Sequence, residues 1–366
     1  LVIINIYKYI MHIILTFLLI FFISFSSYAI DTKAEQAIVV DFNTEEILFE
    51  KNADVLIPPA SMTKIMTVYA TFDRLKKTNL SINDTCIISP RAYKIGGSRT
   101  FLEIDDKVSI SDLLKGIIVQ SGNDASVALA ECLGGTESDF AKLMNVYANK
   151  LGMKNSNFIN ASGWPQENHY STVRDLSILS NFLIKDFTDL YEYFKLEKFT
   201  YNEINQPNRN KLLLSFEGAD GLKTGYTKRS GWGISGSAIR DNRRITVVIN
   251  GTNSSRSRLN ESSNLLNWAF SQTSQKMLLK KNQFVKKVDL WLGNQPSINL
   301  VSEKDIISIL SFDQIQLINT TIAYNNPTNA PIKKGEKMGI MTINIPGKQS
   351  IEVNLIAEKS VDNINP

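Results

Sequence analysis

Residues 58–64 are the part of the sequence that most restricts the fold around it. Two prolines force an extended chain directly before an apolar pattern of helical period, so Ser61 lies at or just inside a helix start. Lys64 follows at i+3 and shares a helical face with Ser61. A hydroxyl and an amine held in this way can form a nucleophile and its base if burial deprotonates the lysine. The alternative is a serine cap beside an unrelated surface lysine, and the short S-x-x-K pattern alone does not exclude it.

The composition is that of an ordinary globular protein. The sequence has 366 residues, of which 43% are hydrophobic and 21% are charged, enough for one large core or two domains. The formal net charge of +4 is small for this length, so we predict no nucleic-acid partner.

Cysteines and histidines are rare, and their positions give no ligand set for a metal ion. The histidines are His12 and His169, and neither Cys86 nor Cys132 has a metal-ligand spacing. We therefore predict no metal site and no cofactor. The two cysteines could pair in an oxidising compartment, but nothing in the sequence brings them together. The apolar neighbours of Cys132 favour a buried helical thiol.

The N-terminal segment has the pattern of an export signal. Residues 10–25 are almost wholly apolar, and small residues follow at the positions that a signal peptidase reads, ending at Ala29. We predict a secretory signal peptide over residues 1–29 and an exported protein. The rival interpretation is an uncleaved membrane anchor, because the apolar run approaches the length that spans a bilayer.

Helical and strand-like periods then follow in an order typical of an α+β domain. A strand hairpin is predicted at residues 37–41 and 47–50. Helices are predicted at residues 61–77, at 111–119 with Ser111 as the cap, at 124–133, at 137–151 and from 171 onward. After residue 221 the pattern predicts strands at 222–225, 233–239 and 244–249 and a last helix at 260–270. We predict one domain over residues 30–275, in which the helices are inserted between the hairpin and an antiparallel meander.

A second, smaller region follows a predicted boundary at residues 276–282. Short apolar segments punctuated by glycine and proline predict a small β-rich domain over residues 282–360. It offers no nucleophile beside a base, so the predicted chemistry lies in the first domain.

Two further motifs join S-x-x-K at 61–64, namely S-G-N at 121–123 and K-T-G at 223–225. The three occur together in penicillin-recognising serine enzymes, where the second usually reads S-D-N. Alone, the second motif could be a helix-to-helix turn and the third an exposed strand end. The first motif is predicted on a helix start, the second in a break between helices and the third on a strand. Together, in this order, the three motifs favour an acyl-transfer site.

Acyl transfer gives each motif residue a role. Ser61 would be the nucleophile and Lys64 the proton acceptor. Ser121 could relay a proton to the leaving group, while the Asn123 amide holds the substrate backbone and Lys64. Lys223 would add a second positive charge that lowers the pKa of Lys64.

The backbone around the motifs has predicted roles as well. The small Gly225 would let a substrate peptide lie against the strand as an added strand does. Two backbone N–H groups would hold the oxyanion, and Ser61 at its helix start is a natural donor.

The sequence resembles the low-molecular-mass penicillin-binding proteins, serine-type D-alanyl-D-alanine carboxypeptidases, from about residue 37 to 357. Segments that carry the resemblance include P-A-S-M-T-K-I-M-T at 59–67, Q-S-G-N-D-A at 120–125, H-Y-S-T at 169–172 and G-L-K-T-G-Y-T at 221–227. It implies a penicillin-binding-protein/β-lactamase-like transpeptidase domain, an antiparallel sheet with a helical cluster, followed by the small β-rich domain. It also implies an enzyme of the periplasm or the outer face of the cytoplasmic membrane.

The implied reaction is removal of the terminal D-alanine from peptidoglycan pentapeptide stems through a Ser61 acyl-enzyme. β-Lactam antibiotics would acylate the same serine. Arg258 matches the family arginine that pairs with the terminal carboxylate, and Thr224 would contribute to the same site, although Arg256 could substitute for Arg258. The second oxyanion donor would be the backbone N–H of Tyr226, where relatives often carry histidine.

Two other matches border the implied site. His169 matches a family histidine, for which a structural role is favoured over general-base catalysis. Residues 96–98 match a loop beside the cleft.

Other functions stay open on the same residues. A DD-endopeptidase would use the same site, and a β-lactamase would need a carboxylate to activate water, for which Glu167 is the candidate. A non-catalytic cell-wall binding protein is the alternative from another class. Relatives often end in an amphipathic helix on the membrane, which the polar residues 357–366 are too few to form. This leaves a soluble mature enzyme or a tail missing from this sequence, with membrane association still possible.

Overall fold

The computed structural model describes residues 30–364, so the predicted signal peptide lies outside the described residues. The α-helices of this part are α1 (Lys64–Lys77), α2 (Pro90–Lys94), α3 (Ile110–Lys115), α4 (Asn123–Gly134), α5 (Glu137–Leu151), α6 (Val173–Asp186), α7 (Leu212–Ser215), α8 (Ser255–Gln272) and α9 (Phe312–Gln316). None of these helices is long and apolar enough to cross a membrane.

The same residues contain the strands of two larger sheets and of three two-stranded sheets. They are β1 (Gln36–Asp41), β2 (Ile47–Lys51), β3 (Thr85–Ile87), β4 (Lys107–Ser109), β5 (Lys198–Tyr201), β6 (Ile204–Pro207), β7 (Ala219–Thr227), β8 (Gly231–Arg240), β9 (Arg243–Thr252), β10 (Thr273–Leu279), β11 (Phe284–Trp291), β12 (Ser297–Ser302), β13 (Ile306–Ser311), β14 (Asn319–Tyr324), β15 (Thr328–Asn329), β16 (Lys337–Asn344) and β17 (Ile351–Ala357).

The predicted hairpin and meander form one antiparallel sheet with the order β2-β1-β9-β8-β7. β1 pairs with β9 from Gln36 opposite Asn250 to Asp41 opposite Ile245, so the two ends of the domain meet in the middle of the sheet. The predicted α+β architecture is therefore confirmed.

The sheet is buried on both faces. Ile38 and Val248 belong to a hydrophobic cluster that also contains residues of α1, α4, α5 and α6. α8 packs on β8 and β9, and its Leu265 and Leu266 are fully buried. β7 forms the end of the sheet next to the start of α1, which puts the K-T-G and S-x-x-K motifs side by side.

The C-terminal part is the predicted β-rich region. Its main sheet has the order β14-β16-β17-β12-β11-β15, and β10 pairs with β13. It has an apolar core of its own, to which Val288, Leu300 and Leu355 belong. The boundary predicted at residues 276–282 falls on β10 and the turn after it, and the domain limits 30–275 and 282–360 stay predictions.

The start of the helix before the S-G-N motif was predicted wrongly. Ser109, not Ser111, caps α3, because its hydroxyl accepts the N–H of Asp112 at 3.0 Å. The Ser111 hydroxyl lies 2.9 Å from the hydroxyl of Tyr193 instead. Both serines precede the same apolar pattern, so the sequence did not distinguish a cap from a residue in the first turn.

The expectation of a free thiol at Cys132 was also wrong. Cys86 in β3 and Cys132 in α4 form a disulfide with their Cα atoms 5.5 Å apart. The two cysteines are 46 positions apart, and only the packing of β3 beside α4 brings their side chains together, so the sequence alone does not reveal the pairing.

The disulfide should contribute measurably to stability. A cross-link that closes a 46-residue loop restricts the unfolded chain, so we expect Cys86→Ala/Cys132→Ala to lower the free energy of unfolding by about 2–4 kcal/mol. Urea unfolding followed by fluorescence measures this change. Reduced wild type should match the double variant, and equal unfolding midpoints for the variant and the oxidised wild type would contradict the prediction.

Candidate active site

The first motif forms the start of α1. A 3-10 turn, Ala60–Thr63, leads directly into the helix, and no side chain caps it. Ser61 is therefore inside the turn, as the prolines predicted, and does not act as a cap. Ala60 has a φ of +49°, a left-handed conformation that a non-glycine residue adopts at a cost and that is common at functional sites.

Lys64 is completely buried directly behind Ser61. Its Nζ lies 3.3 Å from Ser61 Oγ, 2.7 Å from Asn123 Oδ1 and 2.6 Å from the Ser162 carbonyl oxygen. A protonated amine donates to all three atoms. A neutral amine donates to the two carbonyl-type oxygens, which leaves its lone pair for the Ser61 hydroxyl proton.

Burial lowers the pKa of Lys64 from its usual value to about 7. The charge of Arg209 lowers it further, whereas Asp124 and Glu137 raise it. Burial was the predicted condition for this, and Lys223 was predicted to add a lowering charge, but Lys223 is not among the causes that act on Lys64. The pKa of Lys223 itself is lowered well below its usual value by its own burial and by the charge of Lys64.

The second motif follows a distortion of the preceding helix. A π-helical turn, Gly116–Gln120, ends at Ser121, which is left-handed with a φ of +67°. Asn123 then begins α4, and its side-chain N–H donates to the Gly96 carbonyl at 2.8 Å. The Asn123 backbone N–H donates to the Ser98 carbonyl at 2.7 Å. The loop at residues 96–98 therefore borders the site, as its resemblance implied.

The loop at residues 160–169 supplies a hydrogen-bond acceptor to Lys64 that the sequence did not indicate, namely the Ser162 carbonyl oxygen. Gly163 lets this loop approach the nucleophile: it has a φ of +78°, and a Cβ there would lie 1.8 Å from the Ala60 carbonyl oxygen. A backbone carbonyl has no sequence signature. The glycine was the only local sign of this close approach.

His169 connects the turn before α1 to the segment at Ile159 through hydrogen bonds. The Ile159 N–H donates to His169 Nδ1 at 3.1 Å, so the ring proton is on Nε2, which lies 2.9 Å from Thr63 Oγ1 and donates to it. Burial lowers the pKa of His169 to about 4. A neutral histidine that holds the turn between Ser61 and Lys64 fits the structural role that was favoured.

The third motif lies on β7 against the first. Lys223 is buried, and its Nζ donates to the Thr224 carbonyl at 3.2 Å. A Cβ on Gly225 would lie 3.0 Å from the Pro59 carbonyl oxygen and 3.2 Å from Met62 Cγ. A side chain at this position would meet this turn, and the predicted contact of a substrate peptide with the strand at Gly225 stays a prediction. The glycine also lets β7 approach the turn that carries the nucleophile.

Arg258 and Arg256 are separated by their positions on α8. Arg258 is buried and lines the cleft, with Nη2 donating to Ser255 Oγ at 3.3 Å, whereas Arg256 is exposed elsewhere. Burial and the charge of Arg209 lower the pKa of Arg258 to about 10. Arg209 also lines the cleft and was missed, because it lies in a polar loop outside the three motifs.

These elements enclose an open cleft of about 780 Å³. The predicted residues that line it are Ser61, Ser121, Asn123, Thr224, Gly225, Tyr226 and Arg258. Three further cationic side chains line it, namely Arg209, Lys211 and Lys228, and no Asp or Glu of residues 30–364 does. Glu167 is exposed and is not among the lining residues, so it does not supply a carboxylate for water activation. The site suits an anionic ligand with a carbonyl near Ser61.

Two family models match this chain. The model described as D-alanyl-D-alanine carboxypeptidase matches residues 24–253, and the one described as penicillin-binding protein 5, C-terminal domain, matches residues 274–363. The chain is 34% identical over 336 residues to the D-alanyl-D-alanine carboxypeptidase DacF of Bacillus subtilis (strain 168), with 90% of this chain and 86% of that protein covered.

Solved structures give the same result. The carboxypeptidase DacD from Francisella tularensis has a TM-score of 0.80 and 30% identity, covering 92% of this chain and 95% of that one. Penicillin-binding protein 5 from Haemophilus influenzae has a TM-score of 0.75 and 31% identity, covering 91% and 99%. The resemblance stated from the motifs is confirmed: this chain belongs to the D-alanyl-D-alanine carboxypeptidase family of serine peptidases.

Proposed function

We propose that this enzyme releases the terminal D-alanine from peptidoglycan pentapeptide stems through an acyl-enzyme at Ser61. The observation that carries the assignment of the nucleophile is the 3.3 Å contact of Ser61 Oγ with the buried amine of Lys64, whose pKa is about 7. A lysine with this pKa is partly neutral at physiological pH and can accept the serine proton. The family makes the chain a serine-type carboxypeptidase.

In the first half of the reaction, neutral Lys64 takes the Ser61 proton while Oγ attacks the carbonyl carbon of the penultimate residue. The backbone N–H groups of Ser61 and Tyr226 are the donors that we assign to the oxyanion. As the C–N bond breaks, the departing D-alanine nitrogen receives a proton through Ser121. Water then attacks the ester with Lys64 again as base, which frees the tetrapeptide stem and restores Ser61.

Recognition of a free C-terminus rests on the cationic cleft. Arg258 and Thr224 would bind the terminal carboxylate, and Arg209 adds positive charge close to Arg258. Asn123 would orient the stem peptide while its Oδ1 holds Lys64. Lys223 adds a hydrogen-bond donor beneath Thr224.

β-Lactams carry a carboxylate and a strained amide, so they fit the same cleft, and we propose that they acylate Ser61. The similarity to a protein named penicillin-binding protein 5 supports this.

We also propose that the enzyme is exported and works on the outer side of the cytoplasmic membrane. The apolar segment at residues 10–25 and the small residues ending at Ala29 support a signal peptide. The Cys86–Cys132 disulfide fits an oxidising compartment such as the periplasm.

Replacing the nucleophile tests the function directly. We expect Ser61→Ala to reduce release of D-alanine from diacetyl-L-Lys-D-Ala-D-Ala by about 10³-fold or more, because the acyl-enzyme no longer forms. The exposed Ser271, in the last turn of α8, gives a matched control, and Ser271→Ala should keep wild-type activity. Equal activity of wild type and Ser61→Ala, or a fluorescent penicillin mapped by mass to another residue, would refute the site.

The pKa of Lys64 predicts the pH dependence of acylation. Only the neutral amine accepts the Ser61 proton, so the second-order rate of β-lactam acylation should rise about tenfold per pH unit below pH 7 and level off above it. His169, with a pKa of about 4, stays neutral over pH 5–9 and adds no second step. Stopped-flow acylation measures the profile. Lys64→Arg should be inactive throughout, and a rate independent of pH from 5 to 9 would contradict the role of Lys64.

The two arginines of α8 provide a matched pair for carboxylate binding. We expect Arg258→Ala to lower kcat/KM for the peptide by about 30- to 100-fold, chiefly through KM, because a charge-assisted hydrogen bond to the carboxylate is lost. Arg256→Ala should change it by less than about twofold, since its side chain is solvent-exposed. Steady-state kinetics of both variants decide the assignment, which equal losses would overturn.

A further inference from the structure

The ring of Tyr226 has a partner that its backbone role does not explain. Tyr226 on β7 is directly opposite Trp232 on β8 in the sheet register. Their rings stack with centroids 4.1 Å apart and an angle of 29° between planes. Both line the cleft, and Tyr226 is 50% exposed. The pair is therefore an ordered aromatic surface at the rim of the site.

The same indole lies under the carboxylate-binding arginine. The guanidinium carbon of Arg258 is 5.3 Å from the centre of the Trp232 ring, within the range of a cation–π contact. Arg258 is only 6% exposed, and Ser255 Oγ is its side-chain hydrogen-bond partner within residues 30–364. No acidic side chain of this part of the chain pairs with it, and the charged group that acts on its pKa is Arg209. A buried guanidinium without a counter-charge needs another source of stabilisation.

The choice of an aromatic partner has a chemical consequence. An aspartate or glutamate beside Arg258 would occupy its N–H donors and neutralise the charge that a substrate carboxylate needs. The face of an indole attracts the guanidinium through its quadrupole and leaves the N–H groups free at the ring edge. Trp232 can therefore hold Arg258 without competing with the ligand.

A second connection joins Trp232 to the helix that carries Arg258. The Trp232 carbonyl accepts the hydroxyl of Thr252 at 2.9 Å, and this hydroxyl lies 3.4 Å from the Ser254 carbonyl. Ser254 caps α8, and its carbonyl accepts the Arg258 backbone N–H at 2.9 Å. Both the main chain and the ring of Trp232 thus contact the part of the fold that positions Arg258.

We propose that Trp232 is a positioning residue for carboxylate recognition, which holds Arg258 in place of an acidic partner and is itself held by stacking on Tyr226. The preference of this enzyme for a free C-terminal carboxylate then depends on an aromatic residue that does not touch the carboxylate. This inference rests on the proposed carboxypeptidase function.

The test compares two ligands that differ only in the carboxylate. For peptides, these are diacetyl-L-Lys-D-Ala-D-Ala and its C-terminal amide; for acylation, they are benzylpenicillin and its methyl ester. We expect Trp232→Leu to lower the ratio of kcat/KM for acid over amide by about 5- to 30-fold, mainly through KM for the acid. Trp232→Phe keeps an aromatic face and should restore most of the ratio. If Trp232 had a purely structural role, its replacement would lower kcat/KM for the acid and for the amide by the same factor.

Matched variants serve as controls. Trp291 is exposed on β11 of the C-terminal region, so Trp291→Leu should leave the ratio unchanged. Tyr226→Ala removes the stack but keeps the backbone N–H and should lower the ratio partly, while Tyr226→Phe should not. If Trp232→Leu fails to bind fluorescent penicillin stoichiometrically, the Trp232→Phe and Tyr226 variants decide the proposal.

The outcomes separate this proposal from the one it rests on. An unchanged acid-to-amide ratio in a folded Trp232→Leu protein, or equal losses for Trp232→Phe and Trp232→Leu, would overturn the role of Trp232 alone. Wild type that releases no D-alanine from the peptide acid would refute the proposed function. The penicillin pair would then still measure whether Trp232 positions Arg258.

Discussion

Burying the Lys64 amine requires hydrogen-bond partners from separate parts of the chain. Ser61 comes from the turn before α1, Asn123 from the start of α4 and the Ser162 carbonyl from the loop before α6. An unsatisfied buried amine would be costly, so these segments stabilise one another's positions. The same burial lowers the pKa of Lys64 to about 7. The burial of Lys64 therefore both fixes the relative positions of the three segments and makes its amine a base near neutral pH.

The sheet supplies the other wall of the cleft. β7 reaches the nucleophile because Gly225 has no side chain to displace Pro59. Cationic side chains line this cleft, and none of the acidic residues within 30–364 does. This charge distribution favours anionic ligands, but it also makes the burial of Arg258 more costly. The contact of Arg258 with Trp232 offers stabilisation that does not consume its charge.

Local pattern was sufficient wherever the determining interactions are local. The helical repeat after Ser61, the helix predicted from residue 171 onward and the strands of the meander all follow from neighbouring residues, and the structure contains them. Pattern failed where two similar signals compete or a partner is distant. Ser109 and Ser111 are equivalent caps by sequence, and the pairing of Cys86 with Cys132 depends on how β3 packs on α4.

The sequence by itself determined the α+β class, the family and the identity of the motif residues, because their types and spacings are local properties of the chain. The tertiary structure decided what those residues experience. The backbone carbonyl of Ser162 accepts a hydrogen bond from Lys64, and a backbone group cannot be recognised from the residue type. Arg209 reaches the cleft although it belongs to none of the three motifs. It also decided that Lys64 is fully buried, and this desolvation is the largest cause of its lowered pKa, because burial arises only when distant segments pack together.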